Sequence, residues 1–195
     1  KYLMVFDLPL TLTRVWTPEL ITGIKTQTSE DLPVLRPHLK DLLSFLFIRN
    51  KINFKVALWT SMPPPQTETL AKEVFGKHYN SLLFCYTSGK SEGAKDLQRI
   101  WYNFPEFTEK NTACVDSAPK SVVQSLNHIK IPEYRHEQDS QLKILMDYLK
   151  FYSYNDYHRE VTSLQHFMQR IPFEEYSREH SKPDYSDYGE HRRFG

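Results

Sequence analysis

Only two cysteines, Cys85 and Cys114, occur in the 195 residues. They are too few for a disulfide scaffold and lack metal-ligand spacing, which favours a reducing intracellular compartment. Both sit in apolar runs and read as buried strand residues. No apolar stretch approaches the roughly 20 residues a membrane-spanning helix needs; the longest, Leu42–Ile48, is interrupted by Ser44. An excess of charge of one sign is missing too. A net charge of +1 and a pI near 7.9 create no global field that requires nucleic acid or an anionic membrane as partner. The histidines show no metal spacing, and no internal repeat is visible. The stretch Glu174–Gly195 has no aliphatic residue, so it is expected to be an extended tail that cannot order itself.

What is present is a chain long enough to bury roughly 70% of its unfolded surface around one core, rich in Phe, Tyr and Pro at 12 each. KYLMVF (Lys1–Phe6) reads as a buried strand opening onto Asp7. Any targeting signal or anchor is expected to precede it. Leu39, Leu42, Leu43 and Leu46 form a helical stripe after Pro37, which suits a first helical turn. FKVALWTS (Phe54–Ser61) is a second strand, followed by a helix over Gln66–Phe75 that Gly76 stops. Ser81–Tyr86 reads as a third strand, Ala94–Trp101 as a short helix and Asn111–Val115 as a fourth strand ending at Asp116; NHIKIPEY adds one more strand. Strands alternating with helices imply a parallel sheet covered on both faces, with the ligand site at the carboxyl ends of the strands. Asp7, Thr60 and Asp116 fall at such ends. SQLKILMDYLKF (Ser140–Phe151) places Leu142, Leu145, Met146 and Leu149 on one helical face, and a further helix is expected over His158–Gln169.

Phosphoryl transfer through an aspartate needs a carboxylate nucleophile, Mg²⁺ bridging it to phosphate, a second carboxylate as acid and base, and a hydroxyl and a cation on the phosphoryl oxygens. VFDLPLTL (Val5–Leu12), ALWTSM around Thr60, AKDLQRIW around Lys95 and CVDSAP around Asp116 occur in that order, with RPHLKDLLSFL, NHIKIPEY and SQLKILMDYL between and after them. Together they resemble the NLI-interacting-factor-like, aspartate-based C-terminal-domain phosphatases (the FCP-homology domain) of the haloacid-dehalogenase superfamily, over roughly Lys1–Phe173. The resemblance implies an α/β, HAD-like Rossmannoid fold of three layers with a central, mainly parallel sheet, to which composition adds an extended C-terminal tail. The expected division is a phosphatase-homology domain (1–153), a helical cap (154–173) and a polar, aromatic tail (174–195). The resemblance puts Asp7 at the nucleophile position, Thr11 at the motif threonine, Thr60 at the phosphate-binding hydroxyl, Lys95 at the phosphate-binding lysine, and Asp7 with Asp116 at the metal.

Two positions depart from the family pattern. Pro9 replaces the second aspartate, and Ser117 stands where the family has an Asp or Asn metal ligand. Proline offers no carboxylate to protonate a leaving oxygen, and loss of acid–base help typically costs about 10²–10⁴ in rate. Serine is a weaker Mg²⁺ ligand than a carboxylate, although the Pro9 carbonyl could still contact the ion, so Mg²⁺ binding is expected to be weakened. The first reading is a pseudophosphatase serving as a binding or scaffold subunit of a larger protein assembly. The second is a slow Mg²⁺-dependent serine/threonine phosphatase with Asp7 as nucleophile. A third, within the scaffold class, is a domain like the presequence-receptor subunit of the mitochondrial inner-membrane translocase, which resembles this family and also has degraded motifs. Mitochondrion and nucleus both stay open. In the scaffold readings Tyr176, Tyr185, Tyr188 and Phe194 are the expected partner anchors, because aromatic side chains carry much of the energy at interfaces.

Overall fold

Five apolar runs become five parallel strands, and their order decides where the chemistry can sit. The computed structural model describes residues 1–14, 33–87, 93–158 and 162–181. Its strands are β1 (Tyr2–Phe6), β2 (Thr13–Arg14), β3 (Val34–Leu35), β4 (Phe54–Thr60), β5 (Cys85–Thr87), β6 (Thr112–Asp116) and β7 (His128–Lys130). Its α-helices are α1 (Leu39–Ser44), which continues as a π-turn over Phe45–Arg49, then α2 (Pro64–Phe75), α3 (Gln98–Asn103), α4 (Gln141–Tyr157), α5 (Leu164–Arg170) and α6 (Phe173–His180). The main sheet runs β5-β4-β1-β6-β7, parallel at every pairing, while β2 and β3 form a separate antiparallel pair.

The chain steps outward from β1 through β4 to β5, then crosses back to β6 on the other side of β1. Right-handed crossovers put the connecting helices on opposite faces when the direction reverses, and the two cores follow that rule. Met4, Phe6, Val56, Leu58 and Val115 pack with α1, α2, α4 and α5 on one face. Leu3, Val5, Ala57, Trp59 and Cys114 pack with Leu97 and Ile100 on the other. Strand residues alternate between the faces, and β1 and β6 are buried along almost their whole length because both faces are covered. The three-layer α/β architecture expected from the sequence is present.

Several local expectations need correction. The strand expected over Ser81–Tyr86 begins only at Cys85, because a 3-10 turn over Gly76–Ser81 follows the left-handed Gly76 at φ 51°. Cys85 is exposed rather than buried, since β5 is a short edge strand; Cys114, in β6, is buried as expected. The helix expected over Ala94–Trp101 starts at Gln98. The helix α4 itself runs unbroken across positions 153 and 154.

The tail expectation fails over its first turns. Phe173–His180 is helical, not extended. Pro172 leads into it, Glu174 and Glu175 sit in its first turn and Arg178 and His180 in its last, the charge order that suits the helix dipole. Aromatic rings replace the missing aliphatics: Tyr176 packs on Tyr148 with centroids 5.1 Å apart and lies parallel to Phe151 at 6.2 Å. The buried Ser177 hydroxyl donates to Gln141 Oε1 at 2.7 Å. Tyr176 thus packs within the chain while staying half-buried. Tyr185, Tyr188 and Phe194 lie outside the described residues. The expected result of Tyr176→Ala is a destabilisation of about 1–3 kcal/mol, read as a lower urea midpoint at unchanged slope; an unchanged midpoint would mean that α6 adds nothing to the core.

Candidate active site

The register of three central strands brings three side chains to one edge. Phe6 pairs with Leu58 on one side and Val115 on the other. The next residue, Asp7, leaves β1 with its N–H donating to the Val115 carbonyl at 3.0 Å. Asp116 and Thr60 are the last residues of β6 and β4. All three are buried. Lys95, which follows β5 in the chain, is not on a helix but in an isolated bridge to Val122 after β6. Its N–H donates to the Ser121 carbonyl at 2.7 Å and its carbonyl accepts from the Val123 N–H at 2.9 Å. With the backbone fixed at both ends, its side chain reaches inward and Nζ bonds to the Asp116 carboxylate and, at 3.3 Å, to Asp7 Oδ1. The four residues singled out in the sequence thus converge on one buried point.

Two carboxylates around one ammonium leave a net negative charge in a dry crevice. Burial pushes the Asp7 carboxyl up to about 6, and the neighbouring Asp116 adds to the rise; Lys95 and a hydrogen bond from Thr60 pull the other way. Burial alone would lower the Lys95 ammonium, but the two carboxylates, Asp7 foremost, hold it well above its ordinary range. The Asp116 carboxylate also accepts the Ala118 N–H at 2.8 Å, so the loop after β6 wraps around it.

The loop after β1 is held more firmly than its sequence announces. Leu10 adopts a left-handed φ of 58°, a strained choice for a leucine, costing about 1–3 kcal/mol. Its N–H donates to the Thr13 carbonyl at 2.8 Å, and its carbonyl accepts from the Tyr134 N–H at 2.7 Å. Thr11 is buried and its hydroxyl accepts the Ser117 N–H at 3.0 Å, tying the first motif loop to the last. Arg36, placed in the sequence only at the start of a helix motif, is among the largest fully buried side chains of the described residues. It grips Asp139 with two bonds of 2.9 and 2.8 Å and donates to the carbonyls of Thr11 and Pro132. Its only signal was the Arg-Pro pair before the leucine stripe. Pro9 is half-buried within this loop, bridged to Thr13, and Ser117 is buried beside Asp116.

A family model for NLI interacting factor-like phosphatases matches residues 2–161. The chain belongs to that family. The fission yeast RNA polymerase II CTD phosphatase Fcp1 bound to beryllium fluoride has a similar structure, with a TM-score of 0.60 at 13% identity over 82% of this chain and 64% of that one. A second Fcp1 structure, of an essential RNA polymerase II CTD phosphatase, gives 0.59 at 12% identity over 88% of this chain and 66% of that one. The chain therefore spans about two thirds of those relatives, and at such identity the likeness concerns the fold. A search of curated proteins by sequence returns no match.

Phosphatases of this superfamily generally use Mg²⁺. Mg²⁺ is usually held by one or two carboxylates, with waters and phosphate oxygens completing its octahedron. In this NLI interacting factor-like domain Asp7 and Asp116 supply two such carboxylates side by side, while no cluster of three acids, histidines or cysteines exists among the described residues. The pair fits a hydrated ion that shares a phosphate, and not a protein-only cage. Bound there, the ion would supply charge neutralisation for a phosphoryl group. No helix among the described residues is long and apolar enough to cross a membrane.

Proposed function

We propose that this domain is a catalytically impaired phosphatase homologue that works as a binding or scaffold subunit of a larger protein assembly. The observation that supports this most is the donor set at the strand ends. Asp7 and Asp116 share Lys95 in a buried cluster, with Pro9 and Ser117 where an acid and a further metal-binding carboxylate would stand. The cluster offers a phosphoryl group a hydroxyl, a cation and a carboxylate, but nothing to protonate a departing alkoxide. Weak metal retention follows from the same reasoning, because Ser117 brings no charge to a hard cation.

The convergence of Asp7, Thr60 and Lys95 favours a second reading, a slow Mg²⁺-dependent phosphatase acting on phosphorylated protein segments, as the CTD phosphatases do. Hydrolysis of an activated aryl phosphate and of a phosphoserine peptide with excess Mg²⁺, compared with Asp7→Asn, separates the two. The aryl ester needs little acid help, so it is the more lenient substrate. The expected outcome is turnover at the level of Asp7→Asn for both substrates. Mg²⁺-dependent turnover that Asp7→Asn abolishes would establish the enzyme instead.

A further inference from the structure

At the end of the sheet opposite Asp7, two neighbouring surface cavities lie between the α1 π-turn region and the carboxyl end of α2. Their volumes are about 400 and 230 Å³, at or below the low end for small-molecule sites and suited to anchoring side chains. The larger is floored by Leu39, Leu43, Val74 and Phe75. The smaller is lined by Phe47 and by Phe54 and Lys55 at the start of β4. The parallel rings of Phe47 and His78, 4.8 Å apart, stand between them, and His78 lines both. Burial and the neighbouring Lys77 lower the His78 pKa, so the divider favours its neutral form. Ile48, 51% exposed, borders the larger cavity, and Ile52, 74% exposed, follows Lys51 beside the smaller one.

The rim charge says what this apolar floor would accept. Lys40 and Lys77 border the larger cavity, Lys51 and Lys55 the smaller, and among the described lining residues Glu73 is the single acid. All four lysines are exposed, and none makes an ion pair among the described residues. Lys1, Lys110 and Lys120 are exposed and without an ion pair as well, whereas Lys72, Lys143 and Lys150 each hold a carboxylate; what marks this face is that four such lysines gather around one apolar floor. Unpaired cations around an apolar floor complement a chain with large apolar side chains flanked by acids.

We propose that this double groove docks an acidic polypeptide segment of a partner protein, with large apolar side chains seated in the cavities and carboxylates against Lys40, Lys51, Lys55 and Lys77. The groove lies at the opposite end of the sheet from the phosphatase-type site, so docking there is independent of whether that site turns over. The test is fluorescence anisotropy of the whole chain with two labelled peptides of about 14 residues, one with Leu and Phe at i, i+3 and i+7 between glutamates and one with the same residues alternating for an extended chain. At least one is expected to bind, and to bind at least tenfold more weakly when its glutamates are lysines. Lys40→Glu/Lys77→Glu and Ile48→Asp are each expected to weaken it by about tenfold or more at unchanged melting temperature, while Lys110→Glu changes nothing. Failure of both acidic peptides, or equal binding of the lysine versions, overturns the proposal. Binding to phosphatidylserine vesicles without peptide binding would make the patch a membrane contact, and an oligomer that Ile48→Asp dissociates would make it a contact between copies. Either result also overturns it.

Discussion

Arg36→Met is expected to lower the stability of the domain by about 3–5 kcal/mol, the range for breaking a buried ion pair by removing one partner. The Arg36 side chain is 0% exposed and that of Asp139 10% exposed, so the orphaned carboxylate stays in a largely dry position. The substitution also leaves the carbonyls of Thr11 and Pro132 without their guanidinium donors. A neutral side chain of similar length keeps most of the packing and isolates the polar loss. Arg36→Lys keeps the charge but loses the two-pronged grip on Asp139, so an intermediate loss is expected. Urea unfolding measures both, with a shifted midpoint and a constant slope. A loss below about 1 kcal/mol for Arg36→Met, the value of an exposed pair, would mean that this arginine is solvated in solution and does not hold the motif loop.

The consequence reaches the site. Arg36 bonds the Thr11 carbonyl while the Thr11 hydroxyl accepts from Ser117, so one buried cation fixes the loop after β1 and, through it, the loop after β6. A strained Leu10 in that loop persists only if its surroundings over-determine it, and Arg36 with the Tyr134 N–H supplies that constraint. Arg36 is thus a positioning residue: its hydrogen bonds go to Asp139 and to the carbonyls of Thr11 and Pro132, not to Asp7, Thr60 or Lys95.

The parts of this arrangement that were readable in the sequence are those set by short-range pattern. Buried parallel strands leave apolar runs, and a residue that ends such a run in a doubly wound sheet lies at the ligand edge; Asp7, Thr60 and Asp116 were placed on that ground alone. Lys95 was placed by motif order, and its presentation was misread, since AKDLQRIW looks helical although Lys95 itself sits in a bridge to Val122. Long-range polar pairing leaves no local pattern: Arg36 and Asp139 are far apart in the chain, and nothing near Arg36 marks it as buried. Composition misled at α6, where the absence of aliphatics suggested an extended tail. There Phe173, Tyr176 and Ser177 lie at i, i+3 and i+4 and face the core, so aromatic surface takes the place of leucine and valine. Cys85 was misplaced because an apolar run does not tell an edge strand from a central one.

The measurement that bears most directly on the proposed function is Mg²⁺-dependent hydrolysis of a phosphoserine peptide by the Pro9→Asp/Ser117→Asp protein, with and without Asp7→Asn. Asp7, Thr60, Lys95 and Asp116 already converge; missing, under the proposed function, are an acid for the leaving alkoxide and charge for the metal. Restoring general acid help typically contributes about 10²–10⁴ in rate, and an alkyl phosphate, a poor leaving group, depends on it more than an aryl phosphate does. The predicted result is a rise of at least 10²-fold over the unaltered protein, removed again by Asp7→Asn, with a smaller rise on the aryl ester. If the peptide is hydrolysed no faster after both substitutions, in protein whose melting temperature is unchanged, then the converged side chains do not hold a phosphatase geometry and the account of an intact site lacking its acid is contradicted.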